Sequence, residues 1–155
     1  MSTYRLDKLF APSSVALVGA SNREGSVGLA VLRNLRAAGL AGRIDLVNPR
    51  TSVIGGQRSA ARLGDLEGVP DLVVVASPAE TVPAIIEAAG ARGAAAALVM
   101  TAGLGHGPGS VAETVRLAAR RYGLRLVGPN CLGVMAPQGA RSRPPSQGHD
   151  RARPS

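Results

Sequence analysis

The stretch VALVGASNREGSVG at 15–28 holds the residues best suited to chemistry: an apolar run enters a loop carrying Gly19, Gly25 and Gly28 and leaves it into VLRNLRAAG. Small residues let backbone N–H groups approach a ligand, and the positive end of a helix dipole favours an anion there. The pattern predicts a phosphate pocket. It is not G-x-G-x-x-G, because Ser21 stands where the second glycine belongs. Nor is it G-x-x-x-x-G-K-[ST], because Gly19 to Gly25 is one residue too long and no lysine follows. The loop points to a phosphate-bearing ligand without selecting NAD or ATP, and a ligand-free strand-to-helix turn is the competing reading.

Such a loop works only if a sheet and helices hold it. Four further apolar segments continue the strand-then-helix rhythm: RIDLV at 43–47, DLVVVA at 71–76, AALVM at 96–100 and a short one at 125–127. The helices between them are expected at Val27–Ala38, Glu80–Arg92 and Ser110–Tyr122, with Gly39, Gly93 and Gly123 placed as left-handed C-caps. This alternation predicts one α/β domain over residues 1–138, a doubly wound parallel sheet in a three-layer α/β/α arrangement. The connection TSVIGGQRSAARLGDLEGVP at 51–70 lacks a helical apolar stripe and predicts turns and one short helix.

In a doubly wound sheet the ligand lies beyond the carboxyl ends of the strands, where strand order reverses. The loops there are the first one, then NPRTS (48–52), SPAET (77–81), TAGLGHGPGS (101–110) and GPNCLGVMAP (128–137), all rich in Gly, Pro, Ser, Thr and Asn. A dinucleotide site wants an acid after the second strand; Asn48-Pro49 stands there, with Arg50 next. That substitution lowers NAD and leaves room for a more negatively charged nucleotide. Arg23 and Arg50 are each either a charge-assisted phosphate contact or a solvated surface arginine. No Ser/His/Asp set, H-E-x-x-H or multi-cysteine cluster is present to hydrolyse a bond or bind a metal. His106 reads as a loop residue rather than a general base, His149 as a solvated tail residue. Cys131, which has no visible base partner, reads as a small packing residue.

At 155 residues, with one cysteine, the chain can bury a core without disulfides or metal. No run approaches the roughly 18 apolar residues of a membrane span, and the first residues carry no apolar leader, so a cytoplasmic protein is expected. The net charge of +8 divides unevenly: residues 1–138 hold 14 Lys/Arg against 9 Asp/Glu, while 139–155 hold 4 Arg against 1 Asp. Aromatics are limited to Tyr4, Phe10 and Tyr122, which leaves no stacking platform for bases, so no nucleic-acid partner is expected. The Arg/Pro/Ser-rich segment 139–155 has no aliphatic residue larger than alanine and is expected to be disordered.

In order along the chain, LFAPSSVALVGASNREGSVG (9–28), VNP (47–49), DLVVVASPAETVPAIIEAAGARG (71–93), TAGLG (101–105) and GLRLVGPNCLGVMAP (123–137) resemble the CoA-binding domain of the NDP-forming acyl-CoA synthetases. That group includes succinyl-CoA synthetase α-subunits and ADP-forming acetyl-CoA synthetases; a similar domain is fused to some acetyltransferase modules. The resemblance implies a Rossmann-like fold with coenzyme A or an acyl-CoA across the carboxyl edge of the sheet. Gly19, Ala20, Ser21, Ser26, Val27 and Gly28 would meet its phosphates, and Val47, Asn48 and Pro49 its nucleotide. Ser77, Pro78, Glu80, Thr101, Ala102 and Gly103 would flank the pantetheine, and Asn130 and Cys131 would stand near the thiol.

The fourth loop departs from the family pattern, with Leu104, Gly105 and His106 where relatives usually carry Phe and then an acid. The family's phosphorylatable histidine and ATP-grasp unit have no counterpart in this sequence. The resemblance therefore implies a lone or truncated CoA-binding domain that is not catalytic alone, acting as a free module or with a separate histidine-domain or ATP-grasp subunit or an acetyltransferase module. A split ADP-forming ligase component and an NAD(H)-binding regulatory domain are the rival readings.

Overall fold

The computed structural model describes residues 6–39 and 42–128, so Asn130, Cys131, His149 and the 139–155 segment lie outside the described residues. A short helix α1 (Leu6–Phe10) leads into β1 (Ser14–Val18), α2 (Val27–Ala37) and β2 (Arg43–Val47). A hairpin follows, β3 (Val53–Ile54) and β4 (Gln57–Ala60), then β5 (Leu72–Val75), α3 (Val82–Arg92), β6 (Ala96–Val99), α4 (Val111–Arg121) and β7 (Arg125–Val127). The strands form one sheet in the order β3-β4-β2-β1-β5-β6-β7. Every pairing is parallel except β3 with β4. The expected doubly wound Rossmann-like sheet is therefore the fold.

Both faces of the sheet are covered, which is why the central strands are continuous apolar runs rather than alternating ones. Val15 and Leu17 of β1 join Val31, Leu32 and Leu35 of α2 on one face. Ala16 and Val18 join Val82, Ile86 and Ala89 of α3 and Ala112 and Val115 of α4 on the other. Among the described residues no polar or charged side chain is buried. The interior is a packing core, and any chemistry belongs to the loops at its edge.

Three helix ends match the sequence expectation: Gly39, Gly93 and Gly123 follow α2, α3 and α4 with φ of 63°, 89° and 65°. One connection differs. The segment after β2 contains the expected short helical turn, Leu63–Asp65, but also the hairpin, which lengthens the sheet by two strands. Its two-residue turn is Gly55-Gly56, with φ of 56° and 77°, the mirror-image turn that glycine adopts without strain. The third helix also starts later than expected, because Ala79–Thr81 forms a separate tight turn before Val82.

Candidate functional site

Strand order reverses between β1 and β5. The chain leaves β1 through α2 on one face and β5 through α3 on the other, so the two following loops diverge and open a crevice. At its base the backbones touch. Gly19, with φ of 91°, lies so close that a Cβ would sit 2.7 Å from Ala76 C and Ser77 N. A Cβ on Gly28, at the start of α2, would strike the Gly19 carbonyl oxygen. These are two positions where only glycine fits.

Ser26 caps α2. Its Oγ accepts from Leu29 N at 3.2 Å and donates to Arg23 O at 2.7 Å. Arg23 N in turn donates to Ser21 Oγ at 3.0 Å. Among the described residues the backbone N–H groups of Val27 and Gly28 have no acceptor, and they lie in the first turn of the helix, where an anion would complete them. The one acid in this loop is neutralised: Arg33 of α2 binds both Glu24 oxygens, at 2.7 and 3.3 Å. That hydrogen bonding and charge hold the Glu24 carboxyl below its usual range. Arg23 and Arg50 are exposed, and among the described residues neither guanidinium has an acidic partner.

The second loop closes against the first through Asn48. Its Nδ2 donates to Ala20 O at 2.8 Å, and its Oδ1 accepts from Arg50 N and Thr51 N at 2.8 and 3.1 Å. The residue expected at a nucleotide thus also fixes the two loops that would hold one. Val47 is buried beneath this turn, and Pro49 is exposed on it. In the third loop Thr81 Oγ1 donates to Pro78 O at 2.6 Å and lies 2.8 Å from Ser77 Oγ, while Glu80 is exposed. Thr101 Oγ1 donates to Ser77 O at 2.7 Å and so joins the fourth loop to the third. Ala102 and Gly103 are exposed beside it, and His106 is exposed further along the same loop.

The described candidates therefore converge on one edge of the sheet, the edge the strand ends define. Sequence reasoning missed Asn22. Its Nδ2 donates to Val53 O at 2.9 Å and its Oδ1 accepts from Gly55 N at 2.8 Å, so the first loop is bound to the hairpin. The two-residue Gly-Gly step after Val53-Ile54 is a hairpin signature, but that Asn22 reaches the hairpin is written in no local pattern. Among the described residues no group of three or more His, Cys, Asp or Glu could hold a metal ion, and no helix is long and apolar enough to cross a membrane. Free amides at a helix start, unpaired guanidiniums and short hydroxyls suit an extended phosphorylated ligand.

Comparison with known proteins bears on what that ligand is. Residues 13–137 match the model of a family described as CoA binding domain. The chain is 37% identical over 133 residues to an acetate–CoA ligase (ADP-forming) of Methanocaldococcus jannaschii, covering 85% of this chain and 19% of that protein. It is 35% identical over 138 residues to the acetate–CoA ligase (ADP-forming) I subunit alpha of Pyrococcus furiosus, covering 84% and 30%. Among solved structures, a dinucleotide-forming acetyl-coenzyme A synthetase 1 of Ca. Korarchaeum cryptofilum, in complex with phosphate and ADP, superposes with a TM-score of 0.76. It is 32% identical and covers 83% of this chain and 28% of that one. The chain thus spans less than a third of the length of each of these proteins.

Proposed function

The chain belongs to the CoA-binding domain family, and from that membership we propose that it binds coenzyme A or an acyl-CoA across the carboxyl edge of its sheet. The observation that carries this reading is the pair of unengaged amides at Val27 and Gly28, set beside the Gly19 crevice where strand order reverses. In this reading the diphosphate accepts from those amides, with Ala20, Ser21 and Ser26 lining the loop around it. Arg23 and Arg50 supply positive charge to the remaining phosphate oxygens. The nucleotide lies over Val47, Asn48 and Pro49. The pantetheine passes Ser77, Pro78 and Glu80 on one side and Thr101, Ala102 and Gly103 on the other. Asn130 and Cys131, outside the described residues, are assigned to the thiol end by resemblance alone.

The ligand's chemistry supports the assignment. CoA carries several phosphate charges and a flexible, weakly polar arm, and this edge offers main-chain donors at one end and hydroxyl-bearing loops along the rest. We assign the chain the CoA-binding part of an ADP-forming acyl-CoA synthetase, working with a histidine-domain or ATP-grasp partner or with an acetyltransferase module. In support, the Pyrococcus furiosus relative is itself a subunit alpha. Calorimetric titration of the purified chain tests the reading. A saturable one-to-one heat with CoA, and none with NADH, is the expected result. No heat and no thermal stabilisation at about millimolar CoA would overturn it.

A further inference from the structure

The first loop is held from outside by a part of the molecule that the proposed site does not use. Asn22, in the middle of that loop, forms a two-point amide link to Val53 O and Gly55 N of the β3–β4 hairpin. The hairpin is itself fixed. Arg36 of α2 donates through Nη1 to Gly55 O at 3.0 Å and through Nη2 to Gln57 Oε1 at 3.3 Å, and Gln57 Nε2 donates to Ile44 O of β2 at 2.6 Å. Ile54 is fully buried in the core on the α2 side. Asn22 is exposed, yet both polar ends of its amide bond main chain 31 and 33 residues away. Both bonds span more than thirty residues, so their consequence is geometric: they fix the loop against the hairpin edge.

We propose that the hairpin is a splint for the phosphate loop, with Asn22 and Arg36 as positioning residues. Asn22 ties the loop to the hairpin, and Arg36 ties the hairpin to the helix that the loop enters. Together they hold the Ser21–Gly28 backbone in one arrangement, so that the Val27 and Gly28 amides stay aimed at the crevice without a ligand. A loop that samples other arrangements binds more weakly in proportion to the fraction of time it is misplaced. This inference rests on the proposed CoA reading for its effect on affinity, but not for its effect on the loop itself.

The test therefore has two readouts, on the wild type and on N22A, R36A, the double variant and R92A. Arg92 donates to the carbonyls of Gly64, Leu66 and Gly68 on the opposite face, so R92A controls for a general loss of stability. In the ligand-free protein, exchange of the hydrogen-bonded Arg23 and Ser26 amides of the loop should rise about tenfold in N22A and in R36A and stay at the wild-type level in R92A. CoA affinity should fall about tenfold in each of the two variants and no further in the double, because the residues act as one device. Unchanged loop exchange in N22A overturns the splint. So does faster exchange with unchanged affinity, or an affinity loss in R92A equal to the others. A wild type with no affinity for CoA overturns the functional reading instead, and the splint is then judged on exchange alone.

Discussion

The first and fourth loops enter their helices by the same local device and differ in what stands behind it. Ser26 and Ser110 each cap a helix, each accept from the amide three residues on, and each donate to the carbonyl three residues back, at 2.7 Å in both cases. Beyond that point the first loop is tied to the hairpin by Asn22 and to the second loop by Asn48. Among the described residues the fourth loop has one such tie, from Thr101 Oγ1 to Ser77 O at its start, and otherwise holds itself. Leu104 is sunk in the core, its carbonyl accepts from Ala112 N, and Glu113 turns back to Gly109 N. Between these anchors Gly103, Gly105, Gly107 and Gly109 all take positive φ, from 76° to 82°. A cap alone starts a helix; long-range bonds tie a loop to the rest of the fold.

The comparison breaks most sharply at its glycines. Gly28→Ala places a methyl against the Gly19 carbonyl and should cost on the order of 3 kcal/mol in chemical denaturation, with loss of CoA binding. Gly103→Ala, with nothing within 4 Å, should cost only its backbone strain, about 1 kcal/mol. Equal losses would mean that the two loops are equally supported. The caps give the next effect: Ser26→Ala and Ser110→Ala should each cost about 1 kcal/mol. Only the first should also weaken CoA in calorimetry.

A smaller effect concerns charge. Because the folded Glu24 pKa lies below its unfolded value, the pair contributes above the ordinary glutamate range, and that contribution is lost as pH falls through the folded value. Acid titration of stability should therefore differ between wild type and Arg33→Ala in that window. The difference should shrink in high salt, since both groups are solvent-exposed. Smallest of all, His106→Ala at the exposed end of the fourth loop should shift stability by less than about 0.5 kcal/mol.

The parts of the fold legible in the sequence are those where one signal dominates. Leu72–Val75 is apolar throughout because it is covered on both faces, and the end of α4 is marked by Gly123 in the left-handed conformation. The hairpin was not legible in the same way. In β4, which lies between the two-residue edge strand β3 and β2, Gln57, Arg58 and Ser59 are polar and none is buried, so no apolar pattern marks the strand. The helix at Leu6–Phe10 is too short to show a period. For the site, the glycine loop and the Asn48 turn could be read as chemistry. That Asn48 would spend its amide on Ala20, and that Asn22 would find the hairpin, depends on contacts 28 to 33 residues apart, which no local pattern encodes.

The base of the crevice is made of close main-chain approaches: Gly19 lies on Ala76 and Ser77, and Gly28 on Gly19. At these two glycines there is no side chain to exchange, and a Cβ added at either meets main chain at 2.7 Å or less. On the proposed reading, selectivity for the size or polarity of the ligand is set around the rim. An engineer seeking a new guest should leave the glycines alone and mutate outward from them.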